Sequence, residues 1–282
     1  SMTIEVTCWG TRGSVPVSGS QYVEYGGRTT CLEVAFPAAE EGCPERIIID
    51  CGTGLVELGH QRSGEFSETL LLQTHMHWDH VQGFPFFSSF YNPEANFEFW
   101  GVDRGGCTLE EVYSDQMTEP TFPIGIETVP ANLSFDSIDE QGGVELGDVA
   151  IQWTEMQHPS GSSAYRIETD AGVFVFSGDV EVELGCRQQL ADFARGADVF
   201  LMDAQYFPDE YPSREGFGHS TYEHAVEVAT EADVDELYLT HHDPSHDDDR
   251  LAKKASLARE HSDGGFSVAN ARDRLTVQVG GE

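Results

Sequence analysis

The chain has 282 residues, 39% of them hydrophobic, which suffices for the core of one α/β domain, and no apolar run is long enough to span a membrane. Its formal charge is −35, from 50 acidic residues against 15 basic ones, of which only Lys253 and Lys254 are lysines. A field of that sign repels polyanions unless salt screens it, and so disfavours functions that need a long nucleic-acid footprint. The carboxylates are spread along the chain, the pattern of a solvated acidic surface suited to a high-salt cytoplasm rather than of a patch for a cationic partner. Cys8, Cys31, Cys43, Cys51, Cys107 and Cys186 are scattered without a Cys-x-x-Cys pair, which points to a reduced, cytoplasmic setting and not to a disulfide scaffold. The N-terminus lacks the basic and apolar regions of a secretory signal, and Ser1 before Met2 reads as a tag-cleavage scar.

In chain order, Ile4–Trp9 and Thr30–Phe36 read as paired strands separated by a Gly/Ser-rich loop. Arg46–Asp50 is a further strand, closed by Gly52-Thr53-Gly54, where a helix begins. The apolar run Thr69–Leu72 precedes a histidine cluster. Residues 84–135 are aromatic and Pro-rich, with a strand at 97–101 and a helix at 108–117. Strands follow near 149–157, 163–169 and 172–177, then a helix near 185–195. A strand at 198–202, a helix at 221–232, a strand at 236–240, a helix at 249–260 and a closing strand at Arg274–Val279 complete the chain. No linker divides this order. It fits one domain, an αββα sandwich of two mixed sheets flanked by helices.

The chemistry concentrates in His75-Met76-His77-Trp78-Asp79-His80, four potential metal ligands within six residues, directly after the strand. A strand delivers His75 and His77 to one side because its side chains alternate. The chain then turns, and Asp79 and His80 can face a second metal. Imidazole with carboxylate suits Zn²⁺, Mn²⁺ or Fe²⁺. A His-rich surface loop that binds nothing would not normally follow a run of buried-strand type.

The pattern His-x-His-x-Asp-His resembles the signature of the metallo-β-lactamase fold superfamily. The resemblance spans Ile4 to about Val279 and implies two divalent ions, zinc first. His75 and His77 would hold one, Asp79 and His80 the other. Three strand ends further along would complete the set. His158 fits the third ligand of the first metal, Asp179 the carboxylate that bridges both, and His241 the last ligand of the second.

Gly218-His219-Ser220-Thr221, followed by Glu223, Ala225, Ala229 and then Leu239-Thr240-His241, looks like the tRNase Z-like branch. That likeness brings His219 into the active site, to stabilise charge on a phosphate or to protonate a leaving oxygen; the plain alternative is that Ser220 or Thr221 caps a helix. Asp203, in Met202-Asp203-Ala204-Gln205-Tyr206, stands where the branch often carries His-Glu-Ala. It would orient His219 or a metal-bound histidine, or serve as a loop residue. The Pro-x-Lys-x-Arg-Asn loop of the tRNA-processing enzymes is replaced by Gly13–Ser18 and Tyr25–Thr30, and no Gly/Pro-rich basic arm is present. Transfer RNA is therefore disfavoured. His158-Pro159-Ser160-Gly161 with Tyr165-Arg166, Asp203–Tyr206 and His241-His242-Asp243-Pro244 resemble elements of the branch's small phosphodiesterases, which cleave cyclic nucleotides or cyclic sugar phosphates and include the anti-Pycsar enzymes. The same likeness implies a homodimer.

The expected activity is hydrolysis of a small phosphodiester, 3′,5′-cyclic nucleotides first, by hydroxide held between two metals. Asp79 would orient that hydroxide or accept its proton, and His219 would assist the leaving oxygen. An RNA endonuclease of tRNase Z type and a metal-dependent thioesterase or lactonase are the alternatives. Trp78, Phe84, Phe86, Phe87, Tyr91 and Phe122 could stack on a base or build core, with Phe122 the first candidate for a pocket wall. Arg28 and Arg166 are candidates for phosphate contact or structural ion pairs. His242 and His246, beside Asp243, Asp247 and Asp248, are either partners behind the ligands or solvated loop residues.

Overall fold

Two seven-stranded sheets pack face to face in the computed structural model, which describes residues 2–37 and 42–280. The first runs β14 (Leu275–Val279), β1 (Ile4–Gly10), β2 (Cys31–Ala35), β3 (Arg46–Ile49), β4 (Glu68–Leu72), β5 (Asn96–Gly101), β6 (Asn132–Ser137). It is antiparallel as far as β3 and parallel from β3 to β6. The second runs β13 (Ser267–Asn270), β12 (Glu236–Thr240), β11 (Val199–Asp203), β10 (Gly172–Phe176), β9 (Ser162–Thr169), β8 (Val149–Met156), β7 (Gln141–Leu146). Here the pairs from β7 to β10 are antiparallel and those from β10 to β13 parallel.

Burial on both faces explains the uninterrupted apolar strands. Ile47, Ile48 and Ile49 are all fully buried because Ile47 and Ile49 enter the space between the sheets, and Ile48 enters the layer beneath the first pair of helices. Ile4, Val34 and Leu72 of the first sheet meet Ile151, Tyr165, Phe174 and Phe176 of the second in the central layer. Helices α1 (Gly54–Gln61) and α2 (Leu109–Gln116) cover one outer face over a layer rich in Phe. Helices α3 (Arg187–Phe193), α4 (Tyr222–Ala232) and α5 (Asp248–His261) cover the other with many alanines. Thr108 and Glu111 form a capping box at α2, Thr221 and His224 one at α4, and Asp247 caps α5. The layers are those expected of the metallo-β-lactamase fold.

Three strands carry too little apolar signal to be read from the sequence. β6 and β7 are edge strands whose residues are exposed or half-buried throughout, and β13 is an edge strand of four residues. No helix among the described residues is long and apolar enough to cross a membrane.

The parallel strands fix where a site can form. Leu72 pairs with Ile49 and Trp100, Phe176 with Leu201, and Asp203 with Thr240. The loops that leave β10, β11 and β12 therefore start from one end of the second sheet, and those that leave β3, β4 and β5 from one end of the first, where α/β sheets place their sites. Beneath one of these loops lies Lys254 of α5, fully buried, its Nζ donating to Ala204 O at 2.8 Å and Gln205 O at 3.2 Å.

Burial pushes the Lys254 ammonium down from 10.5 to about 7. Between those values the unfolded chain holds a proton that the folded chain has released, so this residue makes stability rise with pH across the window. In urea melts from pH 7.5 to 9.5, wild type should gain on Lys254→Met by on the order of 1 kcal/mol per pH unit. Parallel profiles for the two proteins would show that Lys254 does not titrate there.

Candidate metal centre

His75 and His77 do not lie in a strand. β4 ends at Leu72, and residues 73–77 form an irregular stretch before a 3-10 turn at Trp78–His80. Polar side chains hold that stretch instead of a ladder. Gln73 N donates to Trp100 O, while the Gln73 amide reaches Asp50 Oδ1, His75 O and His80 O. The two rings still meet, with centroids 4.6 Å apart. His158 follows β8, Asp179 follows β10 and His241 follows β12, its backbone left-handed at φ 57°.

Two groups of ligand atoms result. His75, His77 and His158 form one, and Asp79, His80, Asp179 and His241 the other, with the atoms of each group within 4.8 Å of one another. Asp179 Oδ2 joins them, at 3.4 Å from His75 Nε2, 3.8 Å from His158 Nε2, 3.2 Å from His80 Nε2 and 3.1 Å from His241 Nε2. Asp79 Oδ2 lies 3.3 Å from His80 Nε2 and 3.2 Å from His241 Nε2. All seven residues are buried except His77, the most exposed of them.

Two observations make the cluster fit a pair of divalent cations. The first is unmatched polarity. His75 Nε2 and Asp179 Oδ1 are buried without a hydrogen-bond partner among the described residues. His80 Nε2 faces His241 Nε2 at 3.3 Å, and His158 Nε2 faces His77 Nδ1 at 3.0 Å. The second is the demand for positive charge. Burial alone would lower His80, but Asp179, Asp79 and Asp50 hold it well above its usual value. His241, likewise lowered by burial, is raised to about 9 by Asp179, Asp79 and Asp203. Burial would raise Asp79 and Asp179, yet His80 and His241 hold both below the usual carboxylate range. A pair of cations would supply the positive charge that these carboxylates draw. Burial keeps His75 well below its usual value and His158 at about 3, so both offer lone pairs at neutral pH.

The outer faces of the rings are also fixed. His80 Nδ1 lies 2.6 Å from Asp50 Oδ2, His158 Nδ1 2.7 Å from Gly218 O, His241 Nδ1 2.9 Å from Gln205 Oε1 and His75 Nδ1 3.0 Å from Thr74 Oγ1. Each bond sets a proton on Nδ1 and leaves Nε2 turned inward. Asp50 is the anchor. Its φ is 63°, and its carboxylate accepts from Gln73 Nε2, Thr74 N and Thr74 Oγ1 besides His80. Neither Asp50 nor Gln205 stands out in sequence. An Asp closing an apolar strand at Ile49 was the one available signal for the first.

His219 stands at the rim of both groups, its ring 4.7 Å from that of His241 and 5.2 Å from that of His158. Asp203 Oδ2 lies 2.8 Å from His219 Nδ1 and also accepts from Val180 N. Ser220 does not cap α4, since its hydroxyl donates to Val180 O; Thr221 is the cap.

Other candidates fall elsewhere. Arg28 pairs with Glu57 and Asp273, each at 3.2 Å. Arg166 pairs with Glu168 and donates to Phe193 O and Arg195 O at the end of α3. Both are structural ion pairs, and neither is brought to the cluster. Phe84 and Phe87 are fully buried core. His242 donates to Ala271 O, His246 lies against Glu210 at 2.9 Å, Asp247 caps α5 and Asp248 accepts from Glu24 N and Tyr25 N, so these are ordered partners and not solvated loop.

The family described as beta-lactamase superfamily domain matches residues 45–242. An uncharacterised protein of Mycobacterium leprae is 31% identical over 70% of this chain and 67% of its own. Ribonuclease Z of Haloferax volcanii is 25% identical over 98% of this chain and 96% of its own. The fold is shared with the metallo-beta-lactamase fold protein YhfI of Bacillus subtilis, at a TM-score of 0.70 and 19% identity, over 97% of this chain and 99% of that one.

Asp50→Asn would turn an amide donor toward groups that already donate. It should weaken metal binding by about 10- to 100-fold, as read by competition with a chromophoric chelator. Unchanged affinity would remove Asp50 from the account.

Proposed function

Because the chain belongs to the beta-lactamase superfamily domain family, we propose that it is a binuclear metal-dependent phosphodiesterase acting on small phosphodiesters, 3′,5′-cyclic nucleotides first. His75, His77 and His158 would hold one ion, Asp79, His80 and His241 the other, with Asp179 between them. When bound, such a pair lowers the pKa of water toward neutrality and neutralises charge on phosphoryl oxygens.

The observation that carries the reading is the Asp203–His219 pair at the rim of both ligand groups. The pair offers a general acid for the alkoxide that leaves a phosphodiester. Asp203 Oδ2 holds the Nδ1 proton and fixes the ring, so a second proton on Nε2 is the one available to a departing alkoxide. Asp79, whose Oδ2 accepts from Ser14 N at 2.8 Å, would orient the attacking water or take its proton.

Charge and shape favour a small substrate. Besides the −35 net charge, many of the cations a polyanion would use are already engaged. Arg28, Arg46, Arg104, Arg187, Arg214 and Arg250 each face a carboxylate. Next to the ligand loop, Thr53, Val56, Trp78, Gln82, Phe86, Gln116 and Phe122 line a groove of about 610 Å³ with no charged side chain. Trp78 is 66% and Phe86 62% exposed, and the Phe86 and Phe122 rings meet edge to face at 5.7 Å. A planar, uncharged base could stack there, at about 1–3 kcal/mol per stacked base. The second reading, an RNA endonuclease of tRNase Z type, is supported by the near full-length similarity to ribonuclease Z of Haloferax volcanii, with molar salt screening the repulsion.

Metal-loaded protein should convert 3′,5′-cyclic mononucleotides to linear monophosphates in both low and molar salt. His219→Ala should lower kcat by about 10²- to 10⁴-fold with bound metal unchanged. Silence on every cyclic nucleotide together with cleavage of short RNA would favour the second reading. Full activity of the variant would remove His219 from the chemistry.

A further inference from the structure

We propose that Gln205 is the positioning residue of the Asp79–His80–His241 site, coupling two of its ligands, His241 and Asp79, through one side-chain amide. The assignment rests on the metal centre and not on which ester is cleaved. Gln205 lies just beyond β11 and is 3% exposed. Its Oε1 is 2.9 Å from His241 Nδ1, and its Nε2 is 3.2 Å from Ser14 Oγ and 3.4 Å from Asp243 Oδ2. Ser14 N in turn donates to Asp79 Oδ2 at 2.8 Å.

The chemistry of the neighbours fixes which way the amide points. With Nε2 of His241 turned to the ligand group, its Nδ1 carries the proton and needs an acceptor. Asp243 is a carboxylate and needs a donor. Only Oε1 toward His241 and Nε2 toward Asp243 satisfies both.

Both loops that the amide joins are under backbone strain. His241 has φ 57° and Ser14 φ 67°, left-handed values that are costly for a non-glycine residue. They are also in close approach, because a Cβ on Gly13 would stand 2.4 Å from His241 Nδ1. Such conformations persist only where the surroundings impose them, and the surroundings here converge on Gln205. Gly13 N donates to His242 O, His242 N to Thr11 O and Ala204 N to Thr240 O. Arg12, fully buried, donates to Asp243 O, His246 O and Gly26 O. Lys254 holds Ala204 O and Gln205 O, and Arg214 holds Asp243 Oδ2 at 3.1 Å. The three segments 12–14, 203–206 and 241–246 are thereby tied at their backbones, and the Gln205 amide is the side chain that passes this constraint to both ligands. The His75–His77–His158 group has separate supports in Thr74 and Gly218.

The test is site-selective metal affinity, measured with Zn²⁺ by chelator competition and by metal content after dialysis. In a His77→Ala background, which disables the first site, Gln205→Leu should weaken the remaining equivalent by about 10- to 100-fold. In an Asp79→Ala background, which disables the second, the same change should leave the remaining equivalent untouched. Gln205→Glu keeps an acceptor for His241 but sets a second carboxylate against Asp243, so it should also weaken this equivalent and leave the other site untouched. Ser14→Ala removes one hydrogen bond of the relay from an exposed loop and should weaken the same equivalent by about 3- to 10-fold. It carries the test if Gln205→Leu does not fold. Unchanged affinity at the second site, or equal losses at both, would overturn the assignment.

Discussion

A single carboxylate oxygen, Asp179 Oδ2, lies between 3.1 and 3.8 Å from imidazole nitrogens of His75, His80, His158 and His241. Without a compensating charge, four buried rings and two buried carboxylates at this spacing are an expensive arrangement. The rest of the fold is organised around holding it. Two sheets bring their strand ends to one place, and each inward-facing nitrogen has an outward-facing partner that decides where its proton sits. Asp50, Gly218 O, Gln205 and Thr74 perform that role for four different rings. The strained backbones at Asp50 and His241 are consequences of the same requirement, since loops leaving a sheet must turn sharply to converge.

The residues that meet in the cluster were legible because their signals are local or positional. His75 through His80 are contiguous, and His158, Asp179 and His241 each end an apolar strand. The layer order followed from strands and helices whose burial dictates their composition. The residues that were not legible are defined by pairing across long stretches of chain. His80 and Asp50 are 30 residues apart, and His241 and Gln205 are 36 apart. Nothing in a single sequence marks such a pair. Arg28 looked available for phosphate because its partner Asp273 is 245 residues away. The strand expected to carry His75 and His77 is a loop held by Gln73, a side chain whose three acceptors become visible only in the folded chain. Edge strands β6 and β7 were silent for the opposite reason, since exposed strands need no apolar pattern.

The acidic surface and the metal site make separate demands. Carboxylates outside the cluster are mostly solvated or paired with arginine, with Glu181 a buried exception held by Tyr211 Oη, Gly216 N and Gly218 N, while those inside are held ionised by imidazoles. The uncharged groove beside Trp78 is thus an exception on a chain in which 23% of residues are charged. Its place beside the ligand loop, together with the −35 net charge, is the reason to prefer a small phosphodiester bearing an apolar ring over a long polyanion.

The binuclear centre is the claim on which the rest depends, and anomalous X-ray diffraction from zinc-loaded crystals tests it most directly. Such crystals should show two peaks roughly 3.5–4 Å apart. One should be bounded by His75, His77 and His158, the other by Asp79, His80 and His241, with the Asp179 carboxylate between them. A single peak, or zinc bound at a different set of side chains, would contradict it.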